Sequence, residues 1–157
     1  KTIVSKYMIW SVVLIVGSAL TIGNALTDEA TGITVLLKQI LTPVFEGQSP
    51  LVFTITIVVI ACVLTNICNN MVVGMLLIPI IHVFSQQIGA GSAAIACLSM
   101  YMVCIAVVTP AASTTSAILH GNTKWLKIGD IYKYGILMSI ISLIAVLAVG
   151  LPIANIS

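Results

Sequence analysis

The feature that most restricts the fold is an uncharged stretch: no Asp, Glu, Lys or Arg occurs from residue 47 to residue 123. Soluble domains draw about a quarter of their residues from these four types, whereas they make up 6% of this 157-residue chain. The stretch is long enough for several membrane crossings, since one crossing takes about 20 residues. The sequence therefore predicts an all-α integral membrane protein, multi-pass in the cell membrane, with the lipid bilayer as its surroundings.

Charge and residue content exclude several other classes of function. The net charge is only +2 and the chain has no Arg, whereas phosphate recognition relies on clustered Arg and Lys, so we expect no nucleic-acid partner. The four cysteines lie in apolar segments without a CxxC pair, which is typical of buried thiols. The sequence contains no Ser/His/Asp set, phosphate-binding loop or metal-ligand cluster. We therefore expect no enzyme activity and no cofactor.

The chain divides into successive apolar segments. Residues 1–30 are predicted to form a transmembrane helix that is broken at its glycines, because glycine weakens a helix interior. Residues 31–46 are predicted to form an interfacial helix, too short to span the membrane. The remainder, residues 47–157, is predicted to contain a hairpin, a broken helix and a last transmembrane helix, at 50–85, 93–121 and 130–156.

A cluster of carboxamides predicts that the first of these segments folds back on itself. As one straight helix, residues 50–85 would be over 50 Å long at about 1.5 Å per residue, against a hydrocarbon core of ~30 Å. Asn66, Asn69 and Asn70 interrupt it near the middle. Two helices joined over residues 65–70, entering and leaving on the same side, fit the bilayer better. Such a re-entrant hairpin also leaves the lysines before the first span and those around the start of the last span on the cytoplasmic side.

A second interruption is predicted around "VVTPAASTTSAI". Pro110 lacks a backbone donor, and the neighbouring hydroxyl side chains compete for backbone groups, so we expect a break over residues 109–115. Irregular backbone at membrane depth is tolerated only next to protein or a water-filled cavity, and paired broken helices are typical of transporter binding sites. In the alternative interpretation, the asparagines only hold helices together in a non-transporting membrane subunit or anchor.

Two motifs in this order resemble the C-terminal half of the divalent anion:sodium symporter family, within the wider ion transporter superfamily. In "TNICNNMVVGMLLIPI", Cys68-Asn69-Asn70 occupies the place of the family's Ser-Asn-Thr or Ser-Asn-Asn signature at a hairpin tip. The apolar run that follows ends in Leu77-Ile78-Pro79-Ile80, where family members have Leu-Pro-Ile. In "VTPAASTTSAILHGNTKWLKIGDIYKYG", a Thr-Pro is followed by Gly, an aromatic residue, Lys-x-x-Asp and Gly. The resemblance implies that residues 47–157 are half of a transport domain.

The resemblance also implies roles for individual residues of the site. Asn69 and Asn70 would contact an anionic substrate, with Thr109 and Pro110 facing it from the broken helix. A sodium site would use the Asn69 side chain and carbonyls near Ile67 and Val108. The implied function is secondary active transport of a small di- or tricarboxylate or of sulfate, coupled to Na⁺.

Two departures from the family pattern leave other functions open. The family builds its site from two inverted repeats and this chain matches one, so the resemblance implies a missing N-terminal half or a partner chain, and a homodimer. Cys68 replaces a serine, and Na⁺ prefers oxygen ligands to a thiol. An antiporter of the wider superfamily, exchanging arsenite or protons, is therefore an alternative.

Overall fold

The structure, a computed structural model, describes residues 47–121 and 124–154, together with isolated positions between residues 21 and 45. Apart from those positions, the helices predicted over residues 1–30 and 31–46 lie outside the described residues. Every regular element in the described part is helical. The helices are α1 Pro50–Ile67, α2 Asn70–Gln87, α3 Ser92–Val103, α4 Thr114–Gly121, α5 Ile128–Ala145 and α6 Leu151–Ala154, with a π-helical segment, Val146–Gly150, between the last two.

Helices α1 and α2 run antiparallel and are joined at Cys68 and Asn69. Phe53, in the first turn of α1, and Phe84, in the last turn of α2, have ring centroids 6.4 Å apart. Phe45 packs on both rings, at 5.0 Å and 5.3 Å. These three buried aromatic residues hold the open end of the helix pair together, so the chain folds back within the segment that the carboxamides interrupt.

Local sequence explains where the two helices begin and end. Ser49 caps α1 by accepting a hydrogen bond from the Val52 N–H, and Pro50 follows at the first helical position, where its missing donor costs nothing. Helix α2 ends in a Schellman motif, in which the Ala90 N–H donates to the Ser85 carbonyl at 2.9 Å. Gly89, with φ +67°, supplies the left-handed residue that this motif needs.

The second helix break is longer and begins earlier than the sequence predicts. Helix α3 stops at Val103, several residues before Pro110, and α4 starts only at Thr114. Ser113 caps α4, since its hydroxyl accepts from the Ser116 N–H at 3.1 Å. The expected break over residues 109–115 is therefore wrong in its bounds: the backbone is non-helical from residue 104 to residue 113, because contacts with α1 hold it there.

One long helical unit, Ile128–Ala154, runs alongside the break. At Gly135, an added Cβ would lie 3.3 Å from both the Val107 carbonyl oxygen and the Val108 Cα. Glycine therefore lets α5 approach the non-helical backbone directly. Further along, within the π-helical segment, Gly150 lies against the side chain of Leu98 on α3.

The helices have the length and composition of membrane spans. Three of them, α1, α2 and the unit Ile128–Ala154, are long and apolar enough to cross a bilayer. Most of the large apolar side chains of α5 are exposed, as expected of a helix in contact with lipid. Together with the uncharged stretch of sequence, this makes the chain an all-α, multi-pass membrane protein.

Candidate functional site

The tip of the helix pair lies against the break between α3 and α4. The Asn70 N–H donates to the Ala112 carbonyl at 2.9 Å, and the Ala112 N–H closes a turn onto the Thr109 carbonyl at 3.1 Å. Asn70 is the first residue of α2, and Ala112 lies two residues before α4. The N-terminal ends of two helices therefore meet at this point.

The carboxamide of Asn66 connects the two elements. Its oxygen accepts hydrogen bonds from the Val107 N–H at 3.1 Å and the Val108 N–H at 3.0 Å. Its nitrogen donates to the Cys62 carbonyl, one turn earlier in α1, at 2.8 Å. The side chain is buried, at 8% exposure. Because both of its polar atoms are bonded to backbone, Asn66 supports the non-helical segment.

Hydroxyl side chains satisfy the carbonyls that the break leaves without helical partners. Thr65, on α1, donates to the Val103 carbonyl at the end of α3 at 2.7 Å. Within the broken segment, Ser113 donates to the Ala106 carbonyl at 2.7 Å. Ser116, on α4, donates to the Val107 carbonyl at 3.1 Å. Buried backbone groups must be paired, and these three hydroxyls pair the carbonyls that have no partner within a helix.

Asn69 and Asn70 differ from Asn66 because some of their side-chain polar atoms have no hydrogen bond within the described part of the chain. The Asn69 side-chain oxygen caps α2 by accepting from the Met71 N–H at 3.0 Å. Its amide nitrogen, like the whole carboxamide of Asn70, has no hydrogen bond to any residue that the structure describes. Both residues are half-buried. They present amide donors at the place where the helix N-termini meet.

The two residues predicted from the broken helix lie in the turn that Asn70 contacts through Ala112. The Thr109 hydroxyl is buried and has no hydrogen-bond partner among the residues that the structure describes. Pro110, next to it, is exposed. An unpaired buried hydroxyl is unfavourable, so Thr109 holds a polar group that a bound molecule can satisfy. Asn69, Asn70, Thr109 and Pro110 stay predicted substrate contacts.

The residues predicted to hold Na⁺ lie at the end of α1, at the N-cap of α2 and in the non-helical segment. Ile67 is the last residue of α1, where carbonyls lack intrahelical partners. Val108 lies in the non-helical segment, and its N–H is already bonded to Asn66. Cys68, at the C-cap of α1, is exposed. The potential ligand atoms here are backbone and amide oxygens, the atom type that Na⁺ prefers. Asn69, Ile67 and Val108 stay a predicted sodium set.

The sequence analysis missed the roles of Thr65, Ser113 and Ser116 as partners of the broken backbone, and it did not separate Asn66 from its neighbours. The general signal was present, because hydroxyl and amide residues beside a proline break are known to bond to backbone. Which atoms they reach depends on contacts between residues about forty positions apart, and local sequence does not report these.

Comparison with known proteins identifies the family of the chain. No solved structure matches the chain. Its sequence matches the family model described as the sodium:sulfate symporter transmembrane region, over residues 1–155. That match covers almost the whole chain, including both breaks, the helix pair and the long last helix. The protein with this carboxamide-supported pair of breaks therefore belongs to the sodium:sulfate symporter family of membrane transporters.

Proposed function

We propose that this chain forms half of the substrate site of a secondary active transporter that moves sulfate or a small di- or tricarboxylate, coupled to Na⁺. One observation carries the proposal: the 2.9 Å hydrogen bond from the Asn70 N–H to the Ala112 carbonyl, which joins the N-terminal ends of α2 and α4 among membrane helices. The family to which the chain belongs supports transport in general.

An anion at this point would be held by dipoles and amides. Helix N-termini carry a partial positive charge and unpaired N–H groups, which favour anions. The unbonded amides of Asn69 and Asn70 add donors, and the unpaired Thr109 hydroxyl can donate as well. No Lys or Arg occurs from residue 47 to residue 123. The charge of the anion is therefore balanced by these groups and by a co-transported cation.

A sodium ion is favoured on the carbonyl side of the same arrangement. The C-terminal ends of α1 and α3 approach each other through the bond from Thr65 to the Val103 carbonyl. C-terminal ends carry partial negative charge, and unwound carbonyls can coordinate Na⁺. Carbonyls near Ile67 and Val108 and the side chain of Asn69 would hold the ion. Asn69 would then contact both the cation and the anion, which couples their binding.

We also propose that the α1–α2 pair is re-entrant. Asn66, in the last turn of α1, contacts the backbone at Val107 and Val108, which lies against Gly135 of α5. Gly135 is about 10 Å along α5 from its first residue, at about 1.5 Å per residue. Helix α5 therefore continues beyond this level, on the side of Lys124, which supports a tip that stops inside the membrane.

A second set of helices would complete the site. The hairpin tip and the break provide one side of a binding site, and we propose that another hairpin and broken helix, from an N-terminal half or a partner chain, provide the other. A homodimer of the complete transporter would be consistent with this arrangement.

Uptake measurements test the proposal. Cells that lack endogenous uptake and express the complete protein should take up labelled sulfate, succinate or citrate, and a sodium gradient should stimulate uptake of the transported anion. Asn69→Asp keeps the capping oxygen of α2 but replaces an amide donor with a negative charge. We expect this variant to insert and assemble normally while its uptake falls at least about tenfold, the effect of losing a charge-assisted hydrogen bond of about 1.5–3 kcal/mol.

A matched control and two contrary outcomes make the test decisive. Gln87→Ala removes an exposed amide at the far end of α2, and its uptake should equal that of the wild type. If Asn69→Asp impairs assembly while surviving protein transports normally, the carboxamides serve assembly, as in a non-transporting subunit or anchor. Exchange of arsenite or protons, without uptake of the three anions, would instead indicate an antiporter of the wider superfamily.

A further inference from the structure

A basic and aromatic surface precedes and begins the last long helix. Lys124, Lys127 and Lys133 are all exposed, and Trp125 is 84% exposed. Within the part of the chain that the structure describes, none of these lysines has an acidic partner. The single acid among residues 124–134 is Asp130, in the first turn of α5. We name residues 124–134 the basic rim.

An open apolar groove of about 470 Å³ adjoins this rim. Its walls are mainly apolar side chains from α4, from the segment before α5 and from α5 itself, and they include Leu119, Leu126, Ile131 and Met138. The groove reaches Gly135 and the non-helical backbone at Val107. Lys127 lies beside the groove, since in sequence it stands between the lining residues Leu126 and Asp130.

We propose that the basic rim and its groove bind one phospholipid with an anionic headgroup. The lysines match the headgroup in charge, and a polybasic segment beside a membrane helix attracts anionic lipids. Lys124 and Lys127 contact the phosphate from the headgroup side, while Trp125 lies at the interface. An acyl chain occupies the groove. Asp130 opposes the headgroup, so the preference for anionic over zwitterionic lipid is smaller than the lysines alone would give.

A lipid in this groove would lie next to the non-helical segment between α3 and α4. The acyl chain would end against Val107, whose carbonyl accepts the Ser116 hydroxyl and whose N–H is bonded to Asn66. A lipid here therefore packs on the segment that the carboxamide supports. The binding itself does not depend on which anion the protein transports.

Trp125 provides a direct test in the complete protein. In a background in which every other tryptophan, including Trp10, is replaced by Phe, Trp125 is the reporter. The protein is reconstituted into vesicles in which either phosphatidylglycerol or phosphatidylcholine carries brominated acyl chains, at equal mole fractions. Bromine quenches tryptophan fluorescence on contact. We expect brominated phosphatidylglycerol to quench Trp125 with an apparent affinity at least about fivefold higher than brominated phosphatidylcholine, given the attraction of roughly one lysine to an anionic surface.

Single-charge variants then separate a defined site from general surface charge. Lys127→Gln, beside the groove, should lower the preference about fivefold. Lys133→Gln removes the same charge from α5, but its ammonium lies 5.7 Å from the centroid of the Tyr134 ring, and the preference should change less than twofold. Asp130→Asn should raise it.

Two results would overturn the proposal. Equal quenching by the two brominated lipids, in the protein that keeps Trp125 as its single tryptophan, would show that no anionic headgroup is preferred. Equal losses for Lys127→Gln and Lys133→Gln would show a diffuse surface attraction in place of a site. Because the readout is lipid contact, failure here leaves the uptake experiments unaffected, and loss of uptake in Asn69→Asp does not alter the expected quenching.

Discussion

Three asparagines within five positions have three different environments. Asn66 is buried and bonded to backbone at both of its polar atoms. Asn69 caps a helix with its oxygen, and Asn70 contributes its backbone N–H to the contact with Ala112. The same type of side chain thus supports the broken backbone at one position, caps a helix at the second and is a potential ligand at the third. The three roles differ because each carboxamide faces different groups in the folded protein.

Replacing Asn66 by Ala should destabilise the protein more than any other single amide substitution at the tip. The Val107 and Val108 N–H groups would lose their acceptor, and each buried unpaired group costs about 1–3 kcal/mol. For a chain of this size, we expect the melting temperature of the purified protein in detergent to fall by about 5 °C or more. Thermal unfolding followed by circular dichroism measures it.

Asn70→Ala is the matched control for this substitution. The described residues give its carboxamide no hydrogen-bond partner, and its backbone N–H survives the change. Its melting temperature should stay within about 2 °C of the wild type, as for substitutions that break no buried network. Equal destabilisation by the two variants would contradict the supporting role assigned to Asn66.

At the scale of elements, the packing of α5 against the break depends on a missing side chain. A Cβ added at Gly135 would lie 3.3 Å from backbone atoms of Val107 and Val108, so a larger residue would require this backbone to move. The Val107 carbonyl is itself bonded to Ser116, and the N–H groups of both residues are bonded to Asn66. This backbone therefore cannot shift without breaking hydrogen bonds.

Gly135→Val should consequently push α5 away from the break. Overpacking of this kind costs about 1–3 kcal/mol, which we expect as a lower melting temperature and, if the break forms part of the site, lower uptake. Gly129→Val, on the same helix, is the control, because nothing lies within 4 Å of a Cβ at that position. If both variants behave alike, the loss reflects valine in a helix and not the contact with the break.

The sequence predicts the helices better than it predicts the break. Hydropathy, Ser49-Pro50 and Pro110 are local signals, and they indicate an apolar helix, its start and an interruption. The end of α3 at Val103 has no comparable local signal, because Thr65 and Asn66 stabilise the non-helical backbone from another helix. For the same reason, the tip could be predicted to be polar, but the different hydrogen-bonding roles of its amides could not.

At the scale of the whole molecule, several helix ends lie at one end of the described structure. Pro50, Gly91 and Ala154 line one cavity of about 240 Å³ there, and the aromatic cluster of Phe45, Phe53 and Phe84 closes the helix pair at its open end. The start of α5, with the basic rim, lies at the other end of the Ile128–Ala154 unit.

This arrangement predicts which residues face the same side of the membrane. Single cysteines at Leu51, Gln87 and Lys124, introduced in a variant without native cysteines, should react with a membrane-impermeant thiol reagent as two groups. We expect Leu51 and Gln87 to label from one side and Lys124 from the other, in intact cells compared with inverted vesicles. Labelling of Leu51 and Gln87 from opposite sides would contradict the fold-back of α1 and α2.

The bridge formed by Asn66 also limits how the protein can move. One carboxamide ties the last turn of α1 to the unwound residues between α3 and α4, so these parts cannot separate without leaving buried donors unpaired. We therefore expect a transport cycle that opens the proposed site first to one compartment and then to the other to move these parts together.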